Sequence, residues 1–315
     1  MRRVMQAGLM VLLMAAGGRA ESAGCNAAAP NPSVLVEVPG HPFGVAISPD
    51  GCWVFATLVS APGKPAGLAV LRRDGGRLTM ERVVRLAGEP TGIAITRDGK
   101  RLLVAAGSAL EVLDAARVVS GGGNPVEATI RDGRNPGSVY VNVTGDGEFA
   151  FVSQEGAAAI AVIDLAKKTV VGRIPVGRAP IALEFSLDGK LLYTTSQAAL
   201  KEWGWPDVCK PEGARVPAGA PRHPEGAVVV IDAVKARRDP AQAVVARIPA
   251  ACSPVRLAMQ SDGARIFVTA RNSDAVLAFD TAKLLSDAEH ARIGMVPVGT
   301  APVPVIALRG GETWW

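Results

Sequence analysis

The side chains that could carry chemistry in this sequence are few. The cysteines are Cys25, Cys52, Cys209 and Cys252, and the histidines are His41, His223 and His290. The chain has no Gly-x-Ser-x-Gly nucleophile motif, no Cys-x-x-Cys pair, no haem-attachment motif and no Walker loop. We therefore assign no catalytic residue, metal site or cofactor, and we leave enzymatic activity open while favouring a non-enzymatic role.

The N-terminus has the features of an export signal. Arg2 and Arg3 precede an apolar run at residues 7–16, and the small residue Ala20 suits cleavage by signal peptidase. A run of this length is shorter than the roughly 20 residues that a membrane-spanning helix needs. The sequence thus predicts a signal peptide at 1–20, a mature protein that is periplasmic or secreted, and no membrane span after cleavage.

The charge of the mature protein is modest. Cleavage after Ala20 removes three arginines and no acid, which lowers the net charge from +5 to +2. No cluster of lysine and arginine remains that would form a basic patch, which argues against a nucleic-acid partner. We expect the partner to be another periplasmic protein or a small molecule.

One block of sequence recurs along the chain. It contains a proline, an alternating apolar stretch, an Asp-Gly or similar turn, and a second apolar stretch. Its prolines are Pro42, Pro90, Pro136, Pro180, Pro254 and Pro302. An Asp-Gly pair between two apolar stretches predicts a tight hairpin, so each block supplies two antiparallel strands.

Two further apolar runs follow in most copies and give four strands per repeat, which is typical of a propeller blade. We therefore predict an all-β propeller at 34–315 after an N-terminal extension at 21–33. The expected count is six blades of four antiparallel strands. The sixth is incomplete, because the sequence stops in its second strand, and the N-terminal strand at 34–40 is expected to complete it.

The repeats resemble the YVTN family of bacterial β-propellers. The resemblance rests on a Ser-Pro-Asp-Gly turn at 48–51, Val-Ile-Asp at 162–164 and Ile-Pro-Val-Gly at 174–177. The tetrapeptide that names the family is only approximated, at 193–196 and 267–270. Members of that family commonly have seven blades, so the resemblance makes seven the alternative count.

Propeller connectivity sorts the cysteines by face. The connections into first strands lie on one face with those between second and third strands, and the Asp-Gly turns lie on the other. Cys209 and Cys252 fall on the first face, whereas Cys25 and Cys52 fall on the second. Disulfides Cys25–Cys52 and Cys209–Cys252 are therefore expected in an oxidising compartment, with four free thiols or a metal site as the alternative.

The fourth repeat carries an insertion at 198–226, rich in proline and glycine, and long loops on a rigid scaffold commonly bind ligands. Its tryptophans could contact a ligand, or they could cap their own blade. Together with the connections into the first strands, the insertion defines the predicted contact face at the channel mouth. The candidate residues of this face are His41, Glu89, Arg134, Asn135, Arg178, Trp203, Trp205, His223 and Thr300.

The resulting hypothesis is a non-enzymatic periplasmic binding or protein-interaction module. The alternative is an enzyme role, because propellers of this kind include lactonase-like hydrolases and the propeller subunits of quinone-dependent amine dehydrogenases. A lactonase would need carboxylates and histidines that converge in the channel. A dehydrogenase subunit would need a partner chain that carries the cofactor.

Overall fold

The computed structural model describes Cys25 and residues 34–64, 66–131, 136–212, 216–217 and 219–307. Within these residues the chain forms five four-stranded antiparallel sheets, each made from four consecutive strands. The predicted signal peptide lies outside the described residues, as does the N-terminal extension apart from Cys25. The protein is an all-β propeller with five blades.

The strands follow one another in chain order within each blade. Blade 1 contains β1 (His41–Ile47), β2 (Trp53–Val59), β3 (Gly67–Asp74) and β4 (Arg77–Val84). Blade 2 contains β5 (Pro90–Ile95), β6 (Arg101–Ala106), β7 (Ala109–Asp114) and β8 (Val126–Arg131). Blade 3 contains β9 (Ser138–Val143), β10 (Phe149–Gln154), β11 (Ala159–Asp164) and β12 (Thr169–Pro175). Blade 4 contains β13 (Arg178–Phe185), β14 (Leu191–Ala198), β15 (Ala227–Asp232) and β16 (Val244–Pro249). Blade 5 contains β17 (Pro254–Met259), β18 (Arg265–Ala270), β19 (Ala275–Asp280) and β20 (Arg292–Pro297).

Short helices occupy the connections. They are α1 (Ala115–Ser120), α2 (Ala233–Ala236) and α3 (Lys283–Ser286), with 3₁₀ turns at Lys201–Trp203, Pro240–Gln242, Arg271–Ser273 and Ala288–His290. The aspartate that ends a third strand starts some of them: Asp232 accepts hydrogen bonds from the backbone N–H groups of Val234 and Lys235. No helix in the described ranges is long and apolar enough to cross a bilayer.

The Asp-Gly turns form the predicted hairpins between first and second strands. In blade 4, Ser186 Oγ donates to Asp188 Oδ1 at 2.7 Å, and the same oxygen accepts from Lys190 N at 3.0 Å. Gly189 has φ +70°, a backbone conformation that favours glycine. The same arrangement around Asp50, Asp98 and Asp146 explains why this motif marks each repeat in the sequence.

Buried hydroxyl groups on second strands join neighbouring blades. Thr195 Oγ1 accepts a hydrogen bond from Ala182 N in its own blade at 3.1 Å and donates to Val255 O of the next blade at 3.3 Å. In blade 1, Thr57 Oγ1 likewise accepts a hydrogen bond from Gly44 N and donates one to Thr91 O of blade 2. In blade 2 the hydroxyl comes from the first strand instead, because Thr91 Oγ1 reaches Ser138 O at 3.1 Å. The first strands splay apart, so their backbone N–H and C=O groups cannot hydrogen-bond directly from blade to blade. The hydroxyl groups supply the missing partners.

The predicted count of six blades, with seven as the alternative, is wrong. No strand forms in the described chain at 34–40 or 298–307, so the expected N-terminal closing strand is absent. The sixth repeat supplies only a segment in the place of a first strand, where Val303 O accepts a hydrogen bond from Thr269 Oγ1 at 3.0 Å. The Gly-Gly pair at 310–311, which stands in this repeat where the others have Asp-Gly, lies outside the described residues. Within the described residues this segment contains no strand, so it does not make a four-stranded blade.

The first strands pack side by side from β1 through β5, β9 and β13 to β17, but β17 does not pack along β1 in the same way. The two end blades therefore keep apolar faces exposed. Val45 of blade 1 is 60% exposed, whereas Val141, at the same register in blade 3, is 4% exposed. In the fourth strands, Val296 of blade 5 is 61% exposed and its counterpart Ile248 in blade 4 is 1% exposed.

These exposures predict a contrast between two identical substitutions. Val141→Ala removes buried methyl groups and leaves a small cavity, so we expect it to lower the free energy of unfolding by about 2 kcal/mol. Val45→Ala removes methyl groups that already contact water, so the expected loss is below about 0.5 kcal/mol. Urea unfolding of both variants measures the difference. Equal losses would show that another sheet covers blade 1 in solution, which contradicts this arrangement.

Candidate functional site

The insertion at 198–226 is fastened to blade 5. The disulfide Cys209–Cys252 connects it to the segment before β17. The second disulfide, Cys25–Cys52, lies on the Asp-Gly face. Both predicted pairings are therefore confirmed. Two backbone hydrogen bonds join Cys209 and His223 across the insertion, at 2.9 and 3.0 Å. These links hold the insertion against the mouth, the face on which the first strands begin. Two disulfides are typical of a chain that folds in an oxidising compartment.

A cavity of about 320 Å³ lies beneath the insertion, at the mouth between blades 4 and 5. We call it the insertion cavity. Its lining comes from the start of β13, the end of β14, the insertion itself and the segments that flank β17 and β18. The lining residues are Arg178, Ala179, Gln197, Ala198, Pro211, Glu212, His223, Ser253 and Arg271.

Two guanidinium groups and one carboxylate face this cavity, and only one guanidinium is paired. Arg271 donates to Glu212 Oε2 through Nε at 2.8 Å and Nη2 at 2.5 Å, and Nη2 also reaches Gln197 Oε1 at 3.2 Å. Arg178 is exposed and has no hydrogen bond or ion pair from its side chain within the described residues. The cavity therefore carries an excess positive charge.

Two further groups have unused capacity for hydrogen bonds. The second carboxylate oxygen of Glu212, Oε1, is buried and has no hydrogen-bond partner among the described residues. His223 Nδ1 lies 2.7 Å from the carbonyl oxygen of Pro224, and because a carbonyl only accepts, Nδ1 must carry a proton. Nε2 is then left to accept or donate according to the protonation state of the ring. A polar molecule in this cavity would meet both donors and acceptors.

The structure brings only two of the predicted contact residues together, since Arg178 and His223 both line the insertion cavity. The indoles of Trp203 and Trp205 stack edge to face at 5.4 Å and pack on the core between blades 3 and 4. Arg247 covers the Trp203 ring at 4.9 Å. Both tryptophans therefore cap the propeller and lie outside the cavity lining.

The remaining predicted residues lie elsewhere on the mouth or outside the described chain. Glu89 accepts hydrogen bonds from Ser60 N at 2.6 Å and Ser60 Oγ at 2.9 Å, which ties together the connections of blades 1 and 2. His41 and Thr300 are exposed. Arg134 and Asn135 fall outside the described residues.

Sequence reasoning did not identify Gln197, Glu212, Ser253 or Arg271 as cavity residues. The Arg271–Glu212 pair joins residues 59 positions apart, and no spacing in the sequence reveals such a contact. No three His, Cys, Asp or Glu side chains gather at one place in the described ranges.

A buried carboxyl group lies on the first strand of blade 4. Burial raises the pKa of Glu184 to about 7, because the ionised form loses its water. No hydrogen bond or ion pair of this side chain is present within the described residues. The same register holds Ala46, Ala94 and Ala258 in three other blades, so a carboxyl here departs from the repeat.

The fold and this site define a five-bladed β-propeller with a disulfide-fastened insertion over its mouth. No family model and no curated protein matches the chain. Among solved structures the fold is similar to Kuenenia stuttgartiensis hydrazine synthase, at 20% identity over 89% of this chain and 92% of that chain, with a TM-score of 0.59. It is also similar to the Pseudomonas aeruginosa periplasmic gluconolactonase PpgL, at 18% identity over 84% of this chain and 72% of that chain, with a TM-score of 0.61. Likeness at these identities shows the fold alone.

Because the pKa of Glu184 is raised, we expect the free energy of unfolding to depend on pH. Its pKa is raised in the folded state, so its contribution is fully present below the ordinary glutamate pKa near 4.5 and is lost as pH rises through about 7. This rise in the pKa of Glu184, from 4.5 to about 7, corresponds to about 3 kcal/mol in the free energy of unfolding. We expect Glu184→Gln to remove most of this loss between pH 5 and pH 8 in urea unfolding, and the exposed control Glu289→Gln to keep it. Parallel curves for the wild type and Glu184→Gln would contradict the assignment.

Proposed function

We propose that this chain is a binding module that holds a small anionic molecule in the insertion cavity. The observation that carries the proposal is Arg178, a guanidinium without a partner that lines a cavity fastened by a disulfide. Guanidinium groups bind carboxylates and phosphates through paired, charge-assisted hydrogen bonds. A cavity of about 320 Å³ has the volume of a small-ligand site.

The chemistry of the lining narrows the ligand class. Glu212 Oε1 is a buried acceptor without a donor, and leaving such an atom unpaired is costly. A hydroxyl or amine on the ligand would satisfy it while the anionic group of the ligand contacts Arg178. We therefore expect a hydroxy acid or a similar molecule that combines an anion with hydrogen-bond donors.

The predicted export signal and the two disulfides support a periplasmic or secreted location. We also propose that the repeats belong to the YVTN family, on the basis of the turn at 48–51 and the runs at 162–164 and 174–177.

The enzyme alternative is a lactonase-like hydrolase, since one structural neighbour is a periplasmic gluconolactonase. A hydrolase would need a free general base within reach of its substrate. Glu212 is held by Arg271, whereas Nδ1–H of His223 donates to Pro224 O and leaves Nε2 open, so His223 is the one candidate base in the lining. Because the one carboxylate of the lining is already paired, we favour binding over turnover. A role as a dehydrogenase subunit would require a partner chain that carries the cofactor.

Calorimetric titration with D-gluconate, using D-glucose as the matched neutral probe, tests the proposal. Native mass spectrometry of protein isolated from the periplasm without denaturation shows in addition whether a small molecule co-purifies. We expect gluconate to bind and glucose to bind more weakly. Arg178→Met should weaken gluconate binding roughly tenfold or more, because a charge-assisted contact is lost. Arg292→Met, which removes the same charge from the exposed fourth strand of blade 5, should leave binding unchanged.

Two results would overturn the proposal. One is equal loss of gluconate affinity in the Arg178 and Arg292 variants, together with a wild-type protein that carries no co-purified molecule. The other is steady hydrolysis of glucono-δ-lactone by the wild-type protein that Arg178→Met abolishes, which would make the cavity an active site.

A further inference from the structure

One register of the first strands, near the centre of the propeller, carries side chains of very unequal size. The residues at this register are Gly44, Gly92, Tyr140, Ala182 and Arg256, in blades 1 to 5. A Cβ atom on Gly92 would come within 2.5 Å of the Tyr140 Cα, so blades 2 and 3 approach each other too closely for any side chain there. At this register only blades 3 and 5 carry long side chains, Tyr140 and Arg256.

Arg256 reaches across the channel to aromatic rings of two other blades. Its guanidinium carbon lies 4.4 Å from the centre of the Tyr140 ring and 5.8 Å from that of Phe43. The two rings are themselves 5.9 Å apart and tilted by 51°. Blades 1, 3 and 5 thus converge on one cation, and the first strands hold each contributor in place.

No carboxylate balances this cation within the described residues. Its guanidinium interacts with the Tyr140 phenol, and a long hydrogen bond runs from Nη1 to Val255 O at 3.4 Å. Burial lowers the pKa of Arg256, the Tyr140 phenol opposes that effect, and the positive charge of Arg271 adds to it. Charged groups that leave water are normally paired with an opposite charge, and Arg256 with these few neutral contacts keeps part of its hydrogen-bonding capacity unused.

The guanidinium is also within reach of a molecule in the channel. Arg256 is only partly buried, and Phe43 beside it is 39% exposed although it is aromatic. Ser253, three residues before Arg256, lines the insertion cavity, so the route from the mouth to this level follows β17 inward. An arginine flanked by two rings offers paired donors to an anion and apolar surfaces to the group that carries it.

We infer that Arg256, with Phe43 and Tyr140, forms an inner subsite of the channel that binds the carboxylate of a small apolar or aromatic acid. The carboxylate accepts hydrogen bonds from the guanidinium, and the body of the acid packs against the two rings. The subsite is separate from the insertion cavity and uses none of its lining residues. The two proposals therefore succeed or fail independently.

Titration with benzoate and its neutral counterpart benzamide tests the subsite, with inorganic phosphate as a second anion. Calorimetry gives the affinity, and side-chain NMR of ¹⁵N-arginine-labelled protein reports contact at the Arg256 Nε–H, a readout that a merely structural role would not move. We expect benzoate to bind and to shift this resonance, and benzamide and phosphate to do neither.

Three variants complete the test, each checked for native folding by its thermal transition. Arg256→Met should weaken benzoate binding roughly tenfold or more, because the charged donors are lost. Arg256→Lys should keep part of the affinity, since it retains charge without the planar fork. Arg265→Met, an exposed arginine on β18, should have no effect. If Arg256→Met does not fold, Arg256→Lys and the NMR shift decide the question.

The possible failures point to different causes. Benzoate binding that Arg256→Met and Arg256→Lys leave intact, or that shifts no Arg256 resonance, would overturn the subsite while the insertion cavity stands. Phosphate that shifts the resonance while benzoate does not would show that the assigned ligand class is wrong. Loss of gluconate binding in Arg178→Met leaves the inner subsite untouched, because Arg178 takes no part in it.

Discussion

Small polar side chains join adjacent first strands of this propeller: a threonine hydroxyl at three of the four junctions and the Asn142 amide between blades 3 and 4. These strands splay around the channel and cannot form a hydrogen-bonded ladder with each other, so their facing N–H and C=O groups need another partner. The hydroxyl of Thr195 meets both needs at once, since it accepts from its own blade and donates to the next. Because one small side chain makes both contacts, the relation between consecutive blades is fixed at the centre of the molecule.

The same hydroxyl groups determine what the channel contains. The N–H that donates to Thr269 Oγ1 belongs to Arg256, and the N–H that donates to Ser153 Oγ belongs to Tyr140. The long side chains of Tyr140 and Arg256 therefore start from backbone positions that a second-strand hydroxyl of the same blade holds in place, and Thr269 Oγ1 also donates to Val303 O. An identical contact in blade 1 falls on Gly44, where a Cβ atom would come within 2.7 Å of Thr91 O. Close approach of the blades excludes side chains at some registers and leaves room for Arg256 at another.

Much of the fold could be predicted from the sequence, because its signals are local. An Asp-Gly turn between two apolar runs specifies its hairpin within about ten residues, and the face assignment paired the cysteines correctly.

The blade count could not be obtained from such local signals, since a segment with a first-strand sequence, such as 302–307, forms a blade only if three more strands pair with it. In blade 1 the fourth strand begins at Arg77, directly after the third, because the turn after Asp74 is tight enough for pairing to begin at once. Arg256 carried a detectable signal, as an arginine at a register that holds Gly44, Gly92 and Ala182 elsewhere. The Arg271–Glu212 pair carried none, because it depends on how the insertion folds back.

The way the insertion is held bears on how the cavity beneath it works. A lid that opens and closes needs a free end or a hinge, whereas this segment is fastened to blade 5 by three different kinds of contact: the Cys209–Cys252 disulfide, the Arg271–Glu212 ion pair, and a hydrogen bond of 2.6 Å from Asn272 Nδ2 to Lys210 O. Near the start of the insertion, Trp203 and Trp205 also pack on the core between blades 3 and 4. Holding the lining in place before a ligand arrives reduces the conformational entropy that binding must overcome. The part of the insertion that the structure describes is therefore better suited to form a fixed wall of a binding site than to gate access to the channel.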